Sequence, residues 1–79
     1  MMFYVYALSS LNRKYIYVGL TDNVDRRFSQ HNNGLNKTTK PYRPFVLIYT
    51  ECLPTRSLAR EREKFLKSGV GKEFLSRLK

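Results

Sequence analysis

The run Tyr15-Ile-Tyr-Val-Gly-Leu-Thr-Asp-Asn-Val-Asp-Arg-Arg-Phe-Ser-Gln-His31 constrains this chain more than any other stretch, because its apolar period changes partway along. Aromatic and β-branched residues alternate with a period of two up to Gly19, which defines a strand ending where another group can approach the backbone closely. Beyond it the period becomes helical. Asp22 is a suitable N-cap with Asp25 three residues on, Val24 and Phe28 are spaced i, i+4, and Asn33-Gly34 closes a helix over Asn23 to Asn33. At about 100° per residue, Arg27 and His31 share the arc of Val24 and Phe28, while Arg26 points away. A strand carrying Tyr15 and Tyr17 and a helix carrying Arg27 and His31, joined by a short turn, must lie close together. Phenols, a guanidinium and an imidazole therefore converge on one concave patch.

The remaining elements follow from the same patterns. Phe3 to Leu8 is a strand with Phe3, Val5 and Ala7 on one face and Tyr4, Tyr6 and Leu8 on the other; Ser9 to Lys14 turns, and Tyr15 to Leu20 returns antiparallel. Neither face is polar, so helices must cover both. Gly34 to Pro44 contains two prolines and no apolar period, and reads as a loop whose Lys37, Lys40 and Arg43, interleaved with Thr38, Thr39 and Tyr42, suit phosphate and sugar contacts. Phe45 to Thr50 is continuously apolar, as a central strand buried on both faces would be. Pro54-Thr55 opens a second helix with Leu58, Ala59, Phe65 and Leu66 as its apolar arc. Arg62 falls within that arc and must snorkel or line a site. Glu63 borders the arc beside Ala59, whereas Glu61 lies on the opposite flank. After Ser68-Gly69 a last helix, Val70 to Lys79, turns Val70, Phe74, Leu75 and Leu78 inward. The architecture expected is α/β, with a three-stranded antiparallel sheet flanked by helices on both faces, in a single domain over 1–79.

Charge narrows the partner. Fifteen Lys and Arg against six acids give +9, and the excess is spread over the expected strands and helices instead of a tail, as on a surface that follows a phosphate backbone. A merely soluble basic protein, or a ribosome-associated one, shares that composition. No apolar run approaches the roughly 18 residues of a membrane span, and no charged-then-apolar leader opens the chain. The lone Cys52 excludes an internal disulfide and agrees with a cytoplasmic location.

Four pieces of the chain, in order, resemble the GIY-YIG nuclease domain family. Tyr4-Val5-Tyr6 stands for the first motif and Tyr17-Val18-Gly19 for the second. Arg27-Phe-Ser-Gln-His31 stands for the arginine and histidine of the following helix, and Glu63-Lys-Phe-Leu-Lys67-Ser-Gly69 for the helix bearing the metal-binding glutamate. Tyr4 replaces the first motif's glycine, and Val5 and Val18 replace isoleucines, which keeps buried β-branched residues in place. The resemblance implies the GIY-YIG fold and a metal-dependent DNA endonuclease, structure-selective and serving repair or recombination, with Tyr6, Tyr17, Arg27, His31 and Glu63 as catalytic residues.

Phosphodiester hydrolysis needs an activated water, a cation near the departing oxygen and positive charge on the phosphoryl oxygens. Glu63 is a hard oxygen ligand, and one carboxylate with waters and substrate phosphate suffices for a single Mg²⁺ (or Mn²⁺). No second carboxylate or Cys/His cluster stands at a useful spacing, so neither a two-metal nor a zinc site is expected, nor any small-molecule cofactor. Tyr17 is the candidate general base. A phenol ionises near about 10, so such a base needs a cation beside it. The resemblance implies that Tyr6 and His31 orient the water or share its proton and that Arg27 stabilises the phosphate. Gly19, Lys37, Lys40, Arg43, Arg56 and Arg60 are the expected nucleic-acid contacts. The rival reading is a non-catalytic basic nucleic-acid-binding module with the same fold; a protein-interaction domain is disfavoured by the charge.

Overall fold

Strand β1 (Phe3–Ser10) lies between β2 (Ile16–Thr21) and β3 (Phe45–Leu53) in an antiparallel sheet of order β2-β1-β3, seen in a computed structural model that describes residues 2–78. With a hydrogen-bonded neighbour on each side and helices on both faces, β1 is buried from Val5 through Ser10, serines included. Ser10 sits in this buried position because its hydroxyl is fully used: Oγ donates to the Tyr42 carbonyl at 2.6 Å and accepts from the Arg13 amide at 3.0 Å, which closes the β1–β2 turn.

Alternation along β1 divides the core. Val5 and Ala7 point to one face, where they pack with Val18, Ala59, Leu66 and Leu75 beneath helices α2 (Arg56–Lys67) and α3 (Gly69–Ser76). Tyr6 and Leu8 point to the other, where Phe45 joins them and Val24, Phe28, Tyr15, Tyr17 and Tyr42 pack around helix α1 (Val24–Asn32). The helices on both faces match the expectation. β3 does not: it is an edge strand, with Val46 43% and Leu47 36% exposed, and the central strand is β1. Between Ala7 and Leu8 the pairing steps from Tyr49 to Leu47, leaving Ile48 as a bulge. Such a bulge bends a strand and re-aims its side chains. Ile48 and Tyr49 both pack toward α2 and α3, while Phe45 reaches the α1 face.

Helix boundaries carry three corrections. The cap of α1 is Asn23, whose side chain accepts from the Arg26 amide at 3.0 Å; Asp22 instead forms an ion pair with the Arg26 guanidinium at 2.8 Å. Thr55 caps α2, accepting from the Leu58 amide, but the buried stripe is Ala59, Glu63 and Leu66, and Leu58 and Phe65 are exposed. In α3, Gly71 and Leu75 face inward while Val70 and Phe74 remain exposed; the helix ends at Ser76, so Leu78 lies beyond it and is exposed, and Lys79, the expected helix end, lies outside the described residues. Arg62 is half-buried and held by two partners. Its Nε donates to Glu51 Oε1 at 2.7 Å, and its guanidinium lies 4.8 Å from the centre of the Phe65 ring. No helix among the described residues is long and apolar enough to cross a membrane.

Candidate active site

The α1 face of the sheet holds the predicted aromatic cluster. Tyr6 stands directly opposite Gly19 in the β1–β2 register. A Cβ on Gly19 would lie 2.6 Å from the Tyr6 hydroxyl oxygen and 2.9 Å from Tyr17 Cε2. The group that approaches this glycine is therefore the phenol of the neighbouring strand, and Gly19 is buried, which corrects its assignment as a nucleic-acid contact.

From that position the Tyr6 hydroxyl lies 2.9 Å from His31 Nε2, and His31 Nδ1 lies 2.8 Å from Thr39 Oγ1. Tyr6, His31 and Thr39 are each 0% exposed. A neutral imidazole offers one donor and one acceptor, so the hydroxyl partners decide which nitrogen carries the proton. Thr39 Oγ1 has the Asn36 carbonyl to donate to, so it is placed to accept from Nδ1–H, which leaves Nε2 as the acceptor of the Tyr6 proton. Nδ1–H then donates to Thr39 Oγ1, which can donate in turn toward the Asn36 carbonyl at 3.5 Å. Electrostatics favours the same neutral chain. Burial, with the neighbouring Tyr17, pushes the Tyr6 phenol up to about 12, and burial, with the Arg27 guanidinium, holds His31 below the usual imidazole range.

Tyr17 closes the cluster from β2, its ring centre 4.8 Å from that of His31 and 6.2 Å from that of Tyr6. Unlike them it is only partly buried, so it is the phenol of the group that meets solvent. Tyr15 leaves the patch and stacks on Tyr42 at 3.9 Å. Arg27, half-buried as expected, donates from Nη1 to Gln30 Oε1 at 2.8 Å, whereas Arg26 is exposed.

Glu63 lies on α2, across the sheet from this cluster, with the residue 8% exposed. Arg60 Nη1 is 3.4 Å from Oε1 and Lys67 Nζ is 3.3 Å from Oε2. A cleft lined by Tyr15, Ile16, Tyr17, Val18, Lys67 and Lys72 passes over the β2 edge and joins the Tyr17 side to the lysine that engages Glu63. Among the described residues no three His, Cys, Asp or Glu side chains group as metal ligands. The donor set is therefore one hard carboxylate whose two cationic neighbours are more than half exposed and free to swing aside. That suits a divalent ion retaining much of its water shell.

Among the expected nucleic-acid contacts Lys37, Lys40, Arg43, Arg56 and Arg60 are exposed. Thr39 is not: it belongs to the buried chain and is the site residue that sequence reasoning placed wrongly. Its only sequence signal is a histidine with two nitrogens to satisfy near a threonine-bearing loop.

The fold and this cluster define a nuclease domain. The model of the GIY-YIG catalytic domain matches residues 2–75, and the chain belongs to the GIY-YIG family, whose members are nucleases that act on DNA and generally use divalent metal ions. Its relatives are UPF0213 proteins. One from Natronomonas pharaonis is 39% identical over 66 residues, 82% of this chain and 76% of that protein. Another, from Staphylococcus haemolyticus, is also 39% identical over 66 residues, covering 82% and 79% of the two chains. The solution NMR structure of a UPF0213 protein from Bacillus halodurans superposes with a TM-score of 0.58 at 36% identity, over 100% of this chain and 86% of that one.

Proposed function

We propose that the domain is a single-metal DNA endonuclease in which Tyr17 is the general base, Arg27 the phosphate-stabilising cation and Glu63 the metal ligand, acting in DNA repair or recombination in the cytoplasm. The observation that carries this reading is a partly exposed phenol, Tyr17, packed against a fully buried, hydrogen-bonded Tyr6–His31–Thr39 chain. Ordinary strand tyrosines fill space, and need no imidazole held between two hydroxyls.

In this reading Tyr6 and His31 do not touch the substrate. They fix the Tyr17 ring, and His31 Nε2, already the acceptor of the Tyr6 proton, adjusts the electrostatics behind it. Arg27 offers a planar two-pronged donor to the phosphoryl oxygens as charge develops there. A divalent ion, Mg²⁺ or Mn²⁺, on Glu63 would supply Lewis-acid stabilisation at the departing oxygen. Exposed Lys37, Lys40, Arg43, Arg56 and Arg60 neutralise the phosphate backbone.

A second reading rests on one specific observation: both carboxylate oxygens of Glu63 already face cations, as a structural ion pair in a non-catalytic binding module would. Glu63→Gln separates the two. On the nuclease reading it abolishes Mg²⁺-dependent cleavage of plasmid or branched DNA while gel-shift affinity persists, and Glu61→Gln stays active. Wild-type protein that binds DNA but never cuts it with Mg²⁺ or Mn²⁺, or cleavage that survives Glu63→Gln, would overturn it.

A further inference from the structure

Two adjoining clefts run along the outer edge of β2 and share Tyr15, Ile16 and Lys72. One extends to Lys14 and Ser76, the other to Tyr17, Val18 and Lys67. Three lysines from three separate elements thus line these clefts: one from the β1–β2 turn, one at the last residue of α2, and one from α3. Lys67 engages Glu63, but Lys14 and Lys72 take part in no ion pair among the described residues. Like charges placed along two adjoining clefts form a positive surface that an entering anion neutralises. The floor is different in kind. Tyr15 and Ile16 line both clefts, and the Tyr15 ring is held in place by its 3.9 Å stack on Tyr42. Apolar and aromatic floor beneath a cationic rim is the surface that accommodates a base together with its phosphates. A duplex backbone alone would use only the rim.

We infer that this β2-edge groove takes an unpaired stretch of the DNA strand being cut, with Lys14 and Lys72 on its phosphates and a base against Tyr15 and Ile16. The inference rests on the nuclease reading for the meaning of Tyr17, where the groove ends. It fixes a substrate class: DNA with single-stranded character beside the cleaved bond. It also places strand contacts outside the loop and α2 positions already named.

The test is a binding measurement without divalent metal, so no cleavage enters it. Fluorescence anisotropy is followed against salt for a labelled eight-nucleotide oligo-dT and for a blunt duplex. Lys14→Gln/Lys72→Gln is expected to weaken oligo-dT binding at least tenfold and to lower its salt slope by about 1.4, from about 0.7 per phosphate contact on single strands, while duplex affinity changes less than threefold. Lys37→Gln/Lys40→Gln should show the opposite preference. Both lysines of the groove are exposed, but a second readout needs no variant: in ¹H–¹⁵N spectra of the wild type, oligo-dT should shift amides at Lys14–Val18, Lys72 and Ser76. Equal losses on both DNAs, or oligo-dT shifts confined to α1 and the 34–44 loop, overturn the groove. Tight, groove-dependent oligo-dT binding by a protein that never cuts DNA would leave the groove standing and remove the nuclease reading instead.

Discussion

The two faces of the sheet are lined by alternate residues of one strand, yet they are built on different physics. Beneath α2 and α3, Val5 and Ala7 meet Val18, Ala59, Leu66 and Leu75, and attraction there scales with apolar area and asks for no direction. Beneath α1, Tyr17 packs on the His31 ring while Tyr6 meets His31 through a hydrogen bond that fixes an atom, a distance and a proton. The aliphatic face sets how stable the domain is. The aromatic face sets where a few polar atoms sit, at the cost of burying groups that must all be satisfied, and among the described residues no buried side-chain polar atom lacks a partner.

A cavity on the aliphatic side would separate the two faces most visibly. Leu66 is fully buried, and Leu66→Ala should lower unfolding free energy by about 2–5 kcal/mol in urea titrations, while turnover per folded molecule stays unchanged. A lost rate at full folding would show that the two faces are not separable. On the other side Arg27→Lys keeps the charge but not the planar fork. We expect turnover at saturating DNA to fall about 10²- to 10³-fold, as for removal of one preorganised donor, with folding and affinity little changed. Arg26→Lys, on a solvated side chain paired with Asp22, should alter neither. Equal weakening of binding by both, with the rate intact, reduces Arg27 to a phosphate contact.

The smallest effect is a pH dependence specific to the aromatic face. His31 is held below its ordinary value near 6.5 in the folded chain, so between that value and its lowered folded one the unfolded state binds the extra proton. Stability contributed by neutral His31 is therefore complete above pH 6.5 and declines as pH falls below it. Thermal melts between pH 7.5 and 5 should show this slope in the wild type and lose it in His31→Gln. A slope that persists unchanged in the variant would assign it to other groups. Glu51, held below the usual carboxylate range by the Tyr49 hydroxyl and then Arg62, acts in the same direction only at lower pH, as its carboxylate is protonated.

Much of this was legible in the chain. The switch of period at Gly19 located β2 and α1, and the helical arc put His31 and Arg27 on the correct side. What the pattern could not give was which strand is central. Phe45 to Ile48 is the most apolar run, but apolarity reports the preference of side chains, whereas centrality depends on which backbone is paired twice. β1 conceals its position behind Tyr6 and Ser10, polar side chains that find partners in distant segments, His31 and the Tyr42 carbonyl. Thr39 was illegible for the same reason: its burial follows from the need of one imidazole nitrogen, which leaves no periodic trace in a loop. On α2 the wheel placed Ala59, Leu66 and the bordering Glu63 correctly but drew the arc too wide by including Leu58 and Phe65, because a helix lying over a narrow sheet buries a thin stripe.

Gly71 gives the two-helix side a further property. A Cβ there would overlap the Phe65 carbonyl oxygen and lie 2.5 Å from Leu66 Cα, so α3 rests directly on the backbone of the last turn of α2. Two helices in backbone contact have almost no side chain to compress between them, and their mutual angle is set by hard atoms. Lys67 and Lys72 stand on either side of that joint, so the backbone positions from which the two lysines reach toward the β2 edge are set by hard atoms, while their exposed side chains keep their own freedom.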